Sequence, residues 1–334
     1  MGPAISILLP FHNAAATLAE ALESLLAQTL GEWELLAVDD RSEDESAGIV
    51  ADFARRDTRV RFLVNEGAPG IVGALQTAVA ASTAGWVARM DADDRCDPQR
   101  LALQWEKARA GEADVITTGV NLLDPLGEGM ARYVAWVNAL DSHEAIANAR
   151  FVENPVIHPS VLMRRSALDE AGGYREVAWA EDHDLWLRML QQGARFAKVA
   201  ECLLDWRDSA DRLTRSDARY DEKARQRMRA HYLAAIPEVS ERGVAIAGAG
   251  PIGKSLAREL LGLGIPVHGF FDIHPRRLGE VIHGAEVAGL EGFGRRWRDA
   301  VLLSAVGLAG VREEIRGLAA GAGYVEGRDL WCVC

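Results

Sequence analysis

Two stretches of sequence decide the fold: Leu35-Leu36-Ala37-Val38-Asp39-Asp40 and Val87-Ala88-Arg89-Met90-Asp91-Ala92-Asp93-Asp94. Each begins as a short apolar run, which is typical of a buried parallel strand, and each ends in a group of carboxylates. In open α/β sheets, ligands bind outside the carboxyl ends of the strands. The sequence therefore predicts that the two acidic groups face one crevice.

Around these stretches, the first 120 residues alternate between apolar runs and helical periodicity, which indicates βαβ units. We predict strands at Ala4–Pro10, Trp33–Val38, Val60–Val64, Trp86–Met90 and Val115–Thr117. We predict helices beginning near Ala14, Glu43, Gly70 and Pro98. The capping-box spacing of Ser42 and Glu45 is expected to start the second of these helices.

A second βα pattern begins at Gly243. The predicted class is thus α/β, with a mostly parallel main sheet and a small α/β domain at the C-terminus. We place the first domain at 1–218, a helical linker at 219–238 and the second domain at 239–334.

The composition is that of an ordinary globular chain. It has 334 residues with 37 Lys plus Arg and 49 Asp plus Glu, so the net charge is −12. This acidic balance argues against a nucleic-acid binder, which usually carries a basic stripe. Four scattered cysteines, no secretory leader and no membrane span indicate a cytoplasmic protein, with Cys332 and Cys334 as thiols on a terminal strand.

The second acidic group suggests a metal site. Three carboxylates within four residues, Asp91, Asp93 and Asp94, repel each other unless a cation lies among them. Hard oxygen ligands favour Mg²⁺ or Mn²⁺, and such a cation can bridge carboxylates and the phosphates of a nucleoside diphosphate. The alternative, that acids here only cap a helix, better describes Asp97.

Five motifs, in order along the chain, resemble those of family 2 glycosyltransferases of the GT-A fold. They are Ile5–Asn13, Ser24–Thr29, Val38–Asp44, Met90–Asp94 with Pro98-x-Arg100-Leu101, and Glu181-Asp182 with Leu185–Arg188. The resemblance covers about the first two-thirds of the chain. It implies an inverting, metal-dependent hexosyltransferase of polysaccharide biosynthesis that uses a nucleotide-sugar donor, with UDP as the expected nucleotide.

The resemblance also implies roles for individual residues. The acceptor would be a glycan or a lipid-linked glycan, which would bring the protein to a membrane surface without a span. Asp182 would be the general base that deprotonates the acceptor hydroxyl, with Glu181 as the alternative base. The remaining implied contacts are with the donor (Pro10, His12, Asn13, Asp39, Asp40 and Asp91) and with the metal (Asp93 and Asp91).

The sequence departs from the family pattern in two places. Arg41 replaces the usual glycine, and no Lys or Arg lies between Phe62 and Ala88, which leaves open how the diphosphate is held. Arg207 or Arg212 could supply the positive charge, or these arginines could form a surface ion-pair cluster. The acceptor site is expected to include His158 and Trp206, the latter as a stacking platform; a structural turn is the alternative for His158.

The second domain carries Gly248-x-Gly250-x-x-Gly253 between a strand and a helix, and Asp272 follows Gly250 by 22 residues. This spacing fits the dinucleotide-binding fingerprint, and the segment resembles small Rossmann-like modules attached to sugar-modifying proteins. One alternative is therefore an NAD(P)-binding oxidoreductase, or an inactive scaffold that binds a nucleotide sugar. Since no separate domain for hydride transfer is visible, we favour a structural, regulatory or dimerising module, and the oligomeric state stays open.

Overall fold

The computed structural model describes residues 2–209, 212–308 and 310–334, which form two compact units. The first unit comprises Met1–Ile146, Val156–Val177 and Glu181–Ser216. The second comprises Ala147–Pro155, Ala178–Ala180 and Asp217–Cys334. The domain limits drawn from the sequence stay predictions.

The first unit contains an eight-stranded, mostly parallel sheet in the order β3-β2-β1-β4-β7-β6-β8-β5. Its strands are β1 Ile5–Phe11, β2 Trp33–Asp39, β3 Val60–Val64, β4 Trp86–Arg89, β5 Arg95–Cys96, β6 Val115–Leu123, β7 Leu162–Arg164 and β8 Phe196–Arg207. β7 is antiparallel to both of its neighbours, β4 and β6. The predicted α/β class is confirmed.

The parallel register brings three strand ends to one edge of this sheet. Phe11 at the end of β1 pairs with Asp39 at the end of β2. On the other side of β1, Leu8 pairs with Arg89, the last residue of β4. The loops that follow these three strands therefore meet, as the two acidic groups predict.

The helices up to Ser216 are α1 Leu18–Leu26, α2 Ser46–Arg56, α3 Ile71–Ala81, α4 Arg100–Arg109, α5 Glu128–Asn138, α6 His143–Ala149, α7 Arg165–Glu170, α8 Glu181–Gln191 and α9 Leu213–Ser216. The predicted capping box at Ser42 is wrong. The Ser42 hydroxyl accepts a hydrogen bond from the Asn13 backbone amide at 3.0 Å, so it links two loops and caps no helix. α2 consequently begins later, after Glu45, which has no side-chain capping bond.

The second unit contains a six-stranded sheet in the order β11-β12-β10-β9-β13-β14, with only the edge strand β11 antiparallel. Its strands are β9 Val244–Ala247, β10 Val267–Phe271, β11 Val281–Ile282, β12 Ala285–Ala288, β13 Val301–Ser304 and β14 Leu330–Cys332. Its helices are α10 Glu222–Ala234, α11 Pro237–Arg242, α12 Pro251–Gly262 and α13 Val311–Gly321. Among the described residues, no helix combines the length and apolar character that crossing a bilayer requires.

Candidate functional site

The loops after β1 and β2 are tied together by hydrogen bonds. His12 Nδ1 donates to the Asp40 carbonyl at 2.8 Å, and the Glu43 amide donates to Asn13 Oδ1 at 2.8 Å. Asn13 adopts a left-handed backbone with φ of 47°, a conformation that asparagine tolerates better than most residues. Pro10 precedes these residues and is buried within β1. The predicted donor residues of the first strand thus lie beside Asp40.

Asp39 and Asp40 hold the loops that surround them. Asp39 is buried, and its Oδ1 accepts from the Ser42 amide at 2.9 Å. Asp40 is half-buried and uses both carboxylate oxygens, accepting from Asn65 Nδ2 at 2.6 Å and from the Gly70 amide at 2.7 Å. Asp40 is therefore held rigidly at the rim of the crevice. The sequence did not single out Asn65, which lies in the uncharged stretch after β3.

Arg41 adopts a backbone conformation that suits glycine. Its φ is 62°, in the left-handed region that glycine adopts without strain. Its Nη2 donates to the Gly67 carbonyl at 2.9 Å, which offsets part of a strain of about 1 kcal/mol. Arg41 therefore stands at a position whose backbone conformation a glycine would adopt without strain.

Asp91, Asp93 and Asp94 form an acidic cluster directly after β4. Their ligand oxygens all lie within 4.8 Å of one another. Asp94 is buried; its Oδ1 accepts from the Arg207 amide at 2.9 Å, and its Oδ2 has no protein partner. Burial and the neighbouring carboxylates raise the pKa of Asp94 well above its usual value, and the same causes raise the pKa of Asp93. Three hard oxygen ligands with an orphaned buried oxygen fit a divalent cation.

A buried arginine lies beneath the acidic cluster. Arg89 is 1% exposed, and its guanidinium donates to Asp91 Oδ1 and to the Met90 carbonyl. Arg100, equally buried, donates to the Arg89 carbonyl at 2.8 Å. The sequence analysis did not single out Arg89. A charged residue inside an apolar strand nevertheless predicts a nearby partner, because burying an unpaired charge is costly.

Arg207 is occupied by protein groups. Its Nε donates to the Asp93 carbonyl at 2.9 Å, while Nη1 and Nη2 pair with Asp124 at 2.8 Å and Glu20 at 2.9 Å. Arg207 therefore forms the ion-pair cluster that was the alternative to diphosphate binding. Arg212 carries a positive charge that opposes the rise in the pKa of Asp93, and its Nη1 donates to the Arg207 carbonyl at 3.0 Å.

Trp206 does not present an open face. It is 7% exposed, with the Arg212 guanidinium 3.9 Å from its ring centre and the Tyr133 ring at 6.2 Å. Packing against Arg212 and Tyr133 covers the Trp206 ring, on which an acceptor sugar was predicted to stack. The structure therefore does not favour Trp206 as an acceptor contact.

His158 is also buried, in a short 3-10 turn before β7. Its Nε2 lies 2.8 Å from the Tyr174 hydroxyl. Burial, with a smaller contribution from the charge of Arg89, holds the pKa of His158 well below its usual value, so the imidazole is neutral. The structural alternative describes this residue better than the predicted acceptor contact does.

Glu181 and Asp182 open α8. Glu181 is buried, whereas Asp182 is partly exposed and its Oδ1 accepts from the His183 amide at 2.7 Å. Burial raises the pKa of Tyr174, and the negative charges of Glu181, Asp182 and Asp91 add to the rise. The charges at the start of α8 and that of Asp91 thus all act on the Tyr174 hydroxyl.

In the second unit, the glycine loop is closed by its own side chains. Asp272 Oδ2 accepts from the Ala249 amide at 2.9 Å and from Arg277 Nη1 at 2.8 Å, and Oδ1 accepts from the His274 amide at 2.8 Å. The carboxylate expected to bind a ribose is thus engaged within the loop. The turn itself is as predicted: Gly248 has a φ of 111°. This arrangement gives the NAD(P) alternative no support.

Comparison with known proteins identifies the family. The family model for "Glycosyl transferase family 2" matches residues 6–172, half of the chain. The chain belongs to glycosyl transferase family 2. The matched range includes the acidic cluster of this glycosyltransferase and ends before α8. "Putative glycosyltransferase EpsE" of Bacillus subtilis is 31% identical over 226 residues, which span 66% of this glycosyltransferase and 78% of the relative.

Two solved structures share the fold of this family 2 glycosyltransferase. S. aureus TarS 1-349 in complex with UDP-GlcNAc aligns with a TM-score of 0.54 and 17% identity, over 78% of this chain and 72% of that one. Mannosyltransferase PcManGT from Pyrobaculum calidifontis, in complex with GDP-Man and Mn²⁺, aligns with a TM-score of 0.52 and 18% identity, over 78% and 70%.

Proposed function

We propose that this glycosyltransferase moves a sugar, with inversion, from a UDP-sugar to a hydroxyl of a glycan or lipid-linked glycan. Three carboxylates of the acidic cluster, gathered at the edge of the sheet where β1, β2 and β4 end, carry the proposal. The UDP-GlcNAc complex of TarS and the GDP-Man and Mn²⁺ complex of PcManGT support a nucleotide-sugar donor and a divalent cation.

The donor would lie across the carboxyl ends of β1, β2 and β4. His12, Asn13 and Asp40 line this edge and would contact the nucleoside. Arg212 would face the diphosphate, because its guanidinium lies near the acidic cluster and Arg207 is bound to protein carboxylates.

Asp91, Asp93 and Asp94 would hold Mn²⁺ or Mg²⁺. When bound, such a cation supplies positive charge that offsets the negative charge of the departing diphosphate. The buried Arg89 orients Asp91 from below, and the Arg207 amide orients Asp94. The protein thus fixes at least two of the three ligands in advance.

Asp182 would take the proton from the acceptor hydroxyl. Inversion by a single displacement requires one base, on the face of the sugar opposite the leaving group. Asp182 is partly exposed and lies in the first turn of α8, where the helix dipole stabilises a carboxylate. Glu181 is 2% exposed, so it is the weaker candidate for contact with an acceptor.

Calorimetric titration and a turnover assay test this proposal. UDP is titrated into the wild type and Asp182→Asn, with Mn²⁺ or with EDTA; release of UDP from UDP-GlcNAc and UDP-Glc is then measured. We expect Mn²⁺-dependent UDP binding in both proteins and a loss of turnover of about 10³-fold in Asp182→Asn. Turnover retained by Asp182→Asn, or UDP binding unaffected by EDTA, would contradict the proposal.

A further inference from the structure

We propose that Tyr174 and His158 form a buried, hydrogen-bonded pair that positions Asp182, which makes Tyr174 a positioning residue for sugar transfer. This inference rests on the proposed role of Asp182 as the base. It assigns a role to Tyr174, which the sequence did not single out, and a new one to His158.

The pair is fixed from two sides of the first unit. Tyr174 is 3% exposed, and its hydroxyl shares a 2.8 Å hydrogen bond with His158 Nε2. The Tyr174 carbonyl accepts from Gln76 Nε2, on α3, at 2.9 Å. Both the ring and the backbone of Tyr174 therefore have defined positions relative to the sheet.

The pair contacts the helix that carries Asp182. The His158 ring meets the ring of Trp186 edge to face, with centroids 5.8 Å apart. Trp186 is fully buried and lies four residues after Asp182, so the two residues share one face of α8. Contact with His158 sets the rotation of α8 about its axis, and that rotation sets the direction of the Asp182 carboxylate.

Burial keeps both groups of the pair neutral, and Arg89 links the pair to the donor side. Its buried guanidinium donates to Asp91 Oδ1, and its charge acts on both His158 and Tyr174. Protonation of His158 would place a second cation beside Arg89 in a buried region, which is costly. Arg89, His158 and Tyr174 are thus all buried, and Arg89 also contacts Asp91 of the acidic cluster.

Removal of the Tyr174 hydroxyl tests the positioning role. Tyr174→Phe keeps the ring and leaves His158 Nε2 without its partner. We expect kcat for UDP release from UDP-GlcNAc, with Mn²⁺, to fall about tenfold and KM for the donor to change less than twofold, because small displacements of a base lower the rate more than donor binding. Tyr324→Phe is the matched control, since Tyr324 is a buried tyrosine of the second unit, and its kcat should equal that of the wild type.

A double-mutant cycle shows whether Tyr174 acts through Asp182. In an Asp182→Asn background, Tyr174→Phe should change the residual rate less than twofold. A tenfold fall in that background would overturn the proposal, because Tyr174 would then act independently of the base. His158→Gln, whose amide can still bond to the Tyr174 hydroxyl, should retain most of the rate; His158→Leu should resemble Tyr174→Phe.

The outcomes separate this inference from the function on which it rests. Full turnover in Asp182→Asn would refute the assignment of the base, and the positioning role with it. An inactive Asp182→Asn together with a fully active Tyr174→Phe would refute the positioning role alone. A lower melting temperature of Tyr174→Phe with unchanged kcat would likewise leave only a structural role for the pair.

Discussion

Asp93→Asn should have opposite effects on the stability of the protein without and with a divalent cation. The ligand oxygens of the acidic cluster lie within 4.8 Å of one another. At an effective dielectric constant near 20, two unit charges at this separation repel by about 3 kcal/mol. Burial, and to a lesser extent repulsion from Asp91, raises the pKa of Asp93, so the negative charge of Asp93 destabilises the metal-free protein. Asp93→Asn removes this charge at nearly constant volume.

Without a cation, we therefore expect the variant to be more stable than the wild type by about 1–2 kcal/mol, part of the repulsion being screened by water. With a cation at 100 times its Kd, the wild type gains about 2.7 kcal/mol. For a domain near 200 residues, this gain raises Tm by roughly 5–10 °C. The variant, which lacks one ligand charge, should bind the cation about 100-fold more weakly and show little shift.

Scanning fluorimetry in EDTA and in a MnCl₂ series measures both effects. Asp52→Asn is the matched control, because Asp52 is an exposed aspartate paired with Arg55 on α2, and its Mn²⁺ shift should equal that of the wild type. If Asp93→Asn keeps the full Mn²⁺ shift, the cation binds elsewhere. If the wild type shows no shift, the acidic cluster holds no cation in the absence of donor.

Three further predictions concern stability and thiol chemistry. Gly253→Ala should lower the free energy of unfolding of the second unit in urea by about 3 kcal/mol, because the added Cβ would lie 2.0 Å from the Gly248 carbonyl oxygen. The matched variant Gly262→Ala, whose Cβ would have nothing within 4 Å, should raise that free energy by about 0.5 kcal/mol. Burial lowers the pKa of Lys198 to about 8, so the unfolding free energy of the wild type should rise between pH 8 and pH 10.5 by roughly 2 kcal/mol relative to Lys198→Met, measured by urea titration at each pH. Iodoacetamide at pH 8, followed by peptide mass analysis, should label the exposed Cys202 far faster than Cys332, whose thiol pKa is raised to about 11 by burial.

The first strands could be predicted because they are buried on both faces. All seven residues of β1 and all seven of β2 are buried, so each strand is mostly apolar in the sequence, with Ser6 in β1 and Glu34 and Asp39 in β2 as the polar members. The predicted span Trp33–Val38 ends one residue short of β2, and Val60–Val64 coincides with β3. Because parallel strands end at one edge, the same runs also located the two acidic groups.

The middle of the sheet could not be predicted in the same way. β7 has three residues and lies antiparallel between β4 and β6, although its segment shows no strand periodicity. β6 continues to Leu123, six residues beyond the predicted end at Thr117, and pairs along its length with β8. These pairings join residues that are 46 (Ile116 and Leu162) to 84 (Leu123 and Arg207) positions apart, and local patterning carries little information about contacts at such separations.

The candidate site shows the same division between local and long-range information. A carboxylate at the end of a strand is recognised from its neighbours in sequence, so Asp40 and Asp91 could be named from motifs. Whether His158 or Trp206 reaches solvent depends on side chains brought in from other elements, Tyr174 for His158 and Arg212 for Trp206. The chemical types of His158 and Trp206 suggested contact with an acceptor, but packing buries both side chains.

Arg89 shows how a sequence signal of the opposite kind can be used. A cation within an apolar strand must be paired when buried, because its desolvation costs several kcal/mol. Its partner had to be a carboxylate close to the end of β4, and Asp91 is two residues away. Burial, with a smaller contribution from the charge of Arg89, keeps His158 neutral, so packing determines the ionisation of a residue that we expected at the acceptor site. A charged residue inside a buried strand thus points to the buried contacts that support a site, whereas motifs point to the residues that line the site.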